Sequence, residues 1–135
     1  MALETDRRTR DYLYGRLLAI AENIESRALF IARETRDTTA ARLMQRFADR
    51  PYSTWRNIEL ALVPYKTRLR ASRGGFLFKM DALLDEVMGA FSDEDFTQDA
   101  PLSGEFLLGY HCQRQALKPS DDTPPAQESA TDSVD

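Results

Sequence analysis

A chain of 135 residues, 42% apolar, can bury one core without metal or disulfide. Its single cysteine and single histidine exclude an internal disulfide and a metal site built from Cys and His alone. The net charge of −4 conceals a segregation: residues 1–80 carry 16 Lys/Arg against 9 Asp/Glu, residues 81–118 carry 2 against 8, and residues 119–135 none against 5.

No apolar run is long enough to span a bilayer, and the opening MALETDRRTR lacks the apolar stretch of a secretion signal. The expected location is the cytoplasm, with no membrane among the partners. The first helix is predicted from about Arg10 to Arg33. Leu13, Leu17, Ile20, Ile24, Ala28 and Ile31 recur there at steps of three and four, which marks one apolar face. Asp37, Thr38 and Thr39 supply capping chemistry for a second helix carrying Ala40, Leu43, Met44 and Phe47, which Pro51 ends.

Ser53 or Thr54 is expected to cap a third helix, whose seam is Trp55, Ile58, Leu62, Tyr65 and Leu69. Pro64 falls inside that seam and removes a backbone donor, predicting either a kink or a break near Leu60–Val63. Gly74 and Gly75 punctuate the chain before a fourth helix with Phe76, Met80, Leu83, Leu84, Val87, Met88 and Phe91. The acidic connector SDEDFTQDAP then leads to a fifth helix capped by Ser103. The tail, residues 119–135, is rich in Pro, Ser, Thr and Asp and buries too little to offset its chain entropy, so it is expected to be disordered. The expected fold is all-α: one compact bundle of about five helices over residues 1–118, followed by the acidic tail.

Candidate chemistry is sparse. His111 and Cys112 are adjacent on the last helix and point about 100° apart, so they do not face a common ligand. No third group orients them as a nucleophilic pair, and packing is the expected role. Asp81 and Asp85 share a helical face near Glu86 and the acids Asp93–Asp95, which reads as a solvated face or a surface for a basic partner. Phosphate-loop, zinc and serine-nucleophile motifs are missing, so no cofactor, no small-molecule substrate and no enzymatic activity are expected.

The cations carry more. Arg42, Arg46 and Arg50 form an i, i+4, i+8 stripe on the second helix, and Lys66, Arg70 and Arg73 follow at the end of the third, with Arg68 and Lys79 nearby. No acid interrupts the stretch Lys66–Lys79. Such a surface is suited to phosphates, without reading base edges, and its affinity falls as salt rises. Tyr52, Trp55 and Tyr65 are candidates for stacking on bases. The latter two lie on the apolar seam, where core packing competes.

Two segments, YLYGRLLAIAE (Tyr12–Glu22) and LSGEFLLGYHCQRQAL (Leu102–Leu117), resemble the C-terminal region of the type I-C CRISPR large subunit. Between them the order of a P-x-x-x-W segment (Pro51, Trp55), a helix ending in basic residues and an F-x-x-K-x-x-x-L-x-x-E helix (Phe76, Lys79, Leu83, Glu86) also fits. The resemblance covers Tyr12–Leu117. In that family the region is also made separately, by internal translation initiation, as the small subunit of the Cascade surveillance complex, and a chain starting at Met1 is similar to that product.

The resemblance implies a helical, non-enzymatic subunit that lies in several copies against the crRNA-bearing backbone subunits and the large subunit. It implies contact with the target and non-target DNA strands of the R-loop. Base pairing supplies sequence specificity there, so modest backbone contacts tip a nearly balanced strand exchange. The expected phosphate contacts are Arg42, Arg46, Arg50, Lys66, Arg68, Arg70, Arg73 and Lys79, and the acidic portion 81–118 is expected to face neighbouring protein. The competing reading is a structural adaptor whose basic residues pair with acidic protein surfaces.

Overall fold

In the computed structural model, which describes residues 2–92 and 94–118, the longest run of buried residues extends from Tyr12 to Ala21. It lies in α1 (Arg10–Ala32). The spacing of Leu13–Ile31 predicts a single apolar face, yet this part of the helix is enclosed on every side. The helices α4 (Pro51–Ser72), α5 (Gly74–Gly89) and α6 (Glu105–Leu117) all pack against α1, which makes it the axis of the bundle.

The tightest of these packings is with α6. A Cβ on Gly15 would overlap the Phe106 carbonyl oxygen, and one on Gly109 would overlap the Tyr12 carbonyl oxygen. Only glycine at both positions lets the two backbones touch.

The expected second helix is divided into α2 (Thr39–Arg42) and α3 (Met44–Asp49). Leu43 leaves helical geometry at φ −102° and ψ 10°, which re-aims α3 so that Phe47 is fully buried. Together with α1, α4, α5 and α6 this gives six helices, and the described residues contain no strand.

Helix starts are capped by both local and distant groups. The Thr38 Oγ1 accepts from the Ala41 N–H at 3.0 Å, as the sequence predicts. The buried Glu25 carboxylate of α1 adds a second cap, accepting from the Thr39 N–H at 2.8 Å and from the Thr39 hydroxyl at 3.2 Å. The next long helix begins at Pro51, two residues before the expected Ser53 and three before Thr54, because proline suits the first helical position. Ser53 instead donates its N–H (3.1 Å) and its hydroxyl to Asp99. The Thr54 hydroxyl donates to the Arg46 carbonyl at 3.3 Å. At α6 the Ser103 Oγ accepts from the Glu105 N–H at 3.3 Å, while the N-cap position itself is Gly104.

Pro64 sits inside one continuous helix. Its missing N–H leaves the Leu60 carbonyl without a helical donor, at a place where Leu60 and Pro64 are both exposed to solvent. The two glycines are the first residues of α5, and the break before them falls on Arg73 alone (φ −140°, ψ 51°). The acidic connector is also tied down. Phe96 stacks on Tyr14 and meets Phe91 and Tyr52 edge-on, the Tyr14 hydroxyl donates to the Phe96 carbonyl, and the Leu102 N–H donates to the Ala48 carbonyl at 2.7 Å. The expected disordered tail, 119–135, lies outside the described residues.

Candidate nucleic-acid interface

The segment from Glu34 to Asp49 runs back along α4. Its antiparallel register is fixed by the Arg68–Glu34 ion pair (3.3 Å), by the Arg36 guanidinium over the Tyr65 ring (5.4 Å) and by the Thr54–Arg46 bond already described. Arg42, Arg46 and Arg50 therefore lie beside the N-terminal half of α4, all exposed. With Gln45 and Asp49 they line one shallow depression of about 580 Å³. None of the three is in an ion pair among the described residues. Arg42 donates to the Thr39 hydroxyl at 3.2 Å.

Arg50 also lies close to Asp99. Burial works against the charge on that carboxylate, but the Ser53 hydroxyl, the Ser53 and Tyr52 N–H groups and then Arg50 hold it below the usual range.

The second predicted group is less free than its sequence suggests. Lys66 is half-buried and paired with Asp81 at 2.9 Å, and Arg68 is paired with Glu34. Lys66 and Arg70 line a cleft between α4 and α5 together with Glu59, Asp81 and Asp85. Cations and acids alternate around that cleft, so its local charge is close to balanced. Asp81, expected to belong to a free acidic face, is thus taken up within the chain. Arg73 occupies the α4–α5 break, where one Nη donates to the Ser72 carbonyl at 3.0 Å, and Lys79 is exposed on α5. Arg70, Arg73 and Lys79 make no ion pair among the described residues.

The structure does not gather the eight cations into one patch. The levels of Arg46 and Arg70 along α4 differ by 16 residues, about 24 Å at 1.5 Å per residue.

Of the aromatic candidates, Trp55 is fully buried and Tyr65 nearly so, so both belong to the core. Tyr52 is half-buried, edge-on to Phe96, with its hydroxyl accepting from Arg56 at 3.0 Å. Cys112 is buried while His111 is exposed, its ring meeting that of Tyr110 edge-on. The two have no shared site. Among the described residues no group of three His, Cys, Asp or Glu side chains is placed to hold a metal, and no helix is long and apolar enough to cross a membrane.

One buried polar contact was not legible in the sequence. Arg16 is 1% exposed, and its Nε donates to the Gln113 Oε1 at 2.7 Å. Its Nη2 lies 3.9 Å from Glu86, and burial lowers its pKa from the ordinary arginine value. Glu22, in turn, accepts from the Tyr110 hydroxyl at 2.7 Å. Arg16 and Glu22 come from the YLYGRLLAIAE segment, Gln113 and Tyr110 from the last helix, and Glu86 from the F-x-x-K-x-x-x-L-x-x-E helix. The separated segments of the sequence resemblance are thus one contiguous packing unit.

Comparison with curated proteins gives no match. Residues 1–118, which include every described helix, match the family described as CRISPR-associated protein (Cas_Csd1). The agreement of that match with the packing of α1, α5 and α6 leads to one conclusion: the chain belongs to the CRISPR-associated Cas_Csd1 family, of the type I-C systems.

Proposed function

We propose that this chain is the non-catalytic small subunit of a type I-C RNA-guided surveillance complex. In that role it holds nucleic-acid backbone and so stabilises the crRNA–target heteroduplex and the displaced strand of the R-loop. The observation that carries the reading is the exposed arginine triplet, Arg42, Arg46 and Arg50, lining one depression. A guanidinium without a carboxylate partner gains most from a phosphate, because no ion pair has to be broken first. Lys66 and Arg68 are supporting contacts on this view, since binding must displace Asp81 and Glu34. The R-loop needs only such modest, sequence-blind help, because strand exchange is close to balanced.

The test is charge reversal in the assembled complex. Arg42→Glu, Arg46→Glu and Arg50→Glu together should weaken target-DNA binding at least tenfold in a gel-shift titration, by analogy with the loss of several phosphate contacts (about tenfold or more), while leaving the circular dichroism spectrum unchanged. Unchanged binding would overturn the assignment.

A second reading, docking onto partner protein, is favoured by a neighbouring depression of about 600 Å³. Its lining includes Met44, Ala48, Leu102, Phe106 and Leu107, and it shares Arg42 and Gln45 with the first. Leu107 is 45% exposed there. If that surface alone is functional, Leu107→Glu impairs assembly of the complex while the arginine reversals leave DNA binding intact.

A further inference from the structure

Phe78 is 76% exposed on α5, an unusual position for a large aromatic side chain on a helix whose other face is well packed. Helical side chains lean toward the helix N-terminus and cover the residues three and four positions earlier. For Phe78 those are Gly75 and Gly74, and open space surrounds the Cβ position of each. Four residues later comes Ala82, also exposed and too small to cover the ring. The ring is therefore uncovered by any side chain of its own helix face.

The charges that bracket it in sequence are cationic: Arg73 in the α4–α5 break and Lys79, the next residue, make no ion pair among the described residues, while Arg70 lines the charge-balanced cleft with Asp81 and Asp85. Asp81 is engaged by Lys66 at 2.9 Å. The next acids on α5, Asp85 and Glu86, lie about 11–12 Å further along the helix axis at 1.5 Å per residue.

A second exposed ring stands at the same end of the bundle. Asn23 of α1 meets Met80 of α5 at 3.5 Å, and the Arg27 guanidinium lies over the Phe76 ring at 4.6 Å. Continuing that antiparallel register brings Phe30, 75% exposed, to the level of the α4–α5 break.

We propose that Phe78, with Lys79 next to it and Arg73 at the start of its helix, is a base-stacking platform for single-stranded nucleic acid. The inference rests on the reading that the chain binds nucleic acid, and it adds a residue that contacts a base face where that reading has only phosphate contacts. A duplex hides its base faces, whereas an unpaired strand offers both a polyanionic backbone and bare π-faces, and this surface presents a partner for each. The displaced strand of an R-loop has that chemistry. Trp55 and Tyr65, for which the apolar seam favours core packing, are buried, whereas the Phe78 ring is free.

The test uses the full chain, an oligothymidylate, and an abasic oligomer of the same length and charge. Phe78→Ala should weaken oligothymidylate binding by about 5- to 150-fold, the range for losing one base–aromatic stack, and should leave abasic binding unchanged. Phe78→Leu, which keeps the apolar bulk without the π-face, should lose as much, and Phe78→Trp should retain binding. Equal losses on both oligomers, or no loss on either, overturn the platform while leaving salt-dependent phosphate binding standing. If the parent chain binds neither oligomer and Phe78→Ala alters only its self-association in sedimentation, the ring is a protein contact and the nucleic-acid reading of the chain falls with it.

Discussion

Gly15 of α1 and Gly109 of α6 mark the point where two helices meet backbone to backbone, each leaving room only for hydrogen where the other's neighbours crowd in. Helices pack at 8–10 Å when side chains separate them. Here the side-chain layer is absent, and the atoms in contact belong to main chain that cannot rotate away.

Gly15→Ala and Gly109→Ala should each destabilise the fold by about 3 kcal/mol, the upper part of the range for overpacking. Urea unfolding followed by circular dichroism gives the shift in midpoint. A variant with an unchanged midpoint would mean that the helices separate at little cost. The two losses should combine to less than their sum, because the first methyl already forces the helices apart.

The Glu25 carboxylate holds the start of α2, and through it the arm that carries the arginine triplet. Glu25→Ala should cost about 2 kcal/mol, as expected for losing hydrogen bonds to a charged acceptor. It should also speed hydrogen exchange at the amides of Ala41 and Arg42 more than at those of α6. Uniform loss of protection across all helices would argue against a local anchor.

Asp11 of α1 accepts from the Ser103 N–H at 2.7 Å and from the Arg10 Nε at 2.9 Å. Burial opposes its charge, but these bonds outweigh burial and hold its carboxyl below the ordinary value of 3.8. A carboxyl with a lowered folded pKa contributes stability that is fully present above its unfolded value and is lost as pH falls through the folded one. The melting temperature should therefore drop more steeply below about pH 4 in the parent than in Asp11→Asn, which keeps an acceptor but does not titrate. Parallel profiles for the two proteins would remove Asp11 from the account.

Cations already paired within the chain should count for less on nucleic acid than unpaired ones. Replacing Arg42, Arg46 and Arg50 by Gln should lower the slope of log K against log salt by about one unit per residue. Lys66→Gln with Arg68→Gln should lower it by less than one unit per residue, since binding there exchanges a carboxylate for a phosphate. Equal slopes per residue would mean that the Asp81 and Glu34 pairs do not persist in solution.

The parts of this fold that were legible in the sequence are those set by local patterns. Apolar steps of three and four place α1 within a residue of its observed end, and Thr38 caps α2 as its type and position suggest. The α4 seam of Trp55, Ile58, Leu62, Tyr65 and Leu69 is buried throughout. What escaped the sequence depends on partners far away along the chain. The capping of α4 by Asp99, the burial of Arg16 against Gln113 and the enclosure of α1 on all sides require the tertiary arrangement. Periodicity finds a first buried face but does not report a second.

The candidate site divides along the same line. Arg42, Arg46 and Arg50 were legible as polar positions and all are exposed, but the break at Leu43 and the end of α3 at Asp49 mean that no single helix carries the i, i+4, i+8 stripe. The pairing of Lys66 and Arg68 was not legible, because Asp81 belongs to α5 and Glu34 to the connection after α1. Phe78 falls outside the apolar spacing of Phe76, Met80, Leu83, Leu84 and Val87, and its exposure depends on Gly74 and Gly75 offering no side chain to cover it.

The enclosure of α1 has a consequence for how the chain is made. The helix that forms the axis is translated before the helix that closes over it, with about ninety residues between Gly15 and α6, or roughly 5–20 s at ribosomal rates. Throughout that interval the Tyr12–Ala21 stretch lacks its cover, so nascent chains stalled before Glu105 should be sticky and protease-sensitive. The packing of α1 on α6, from opposite ends of the described chain, should make folding slower than in a bundle whose helices meet only their chain neighbours.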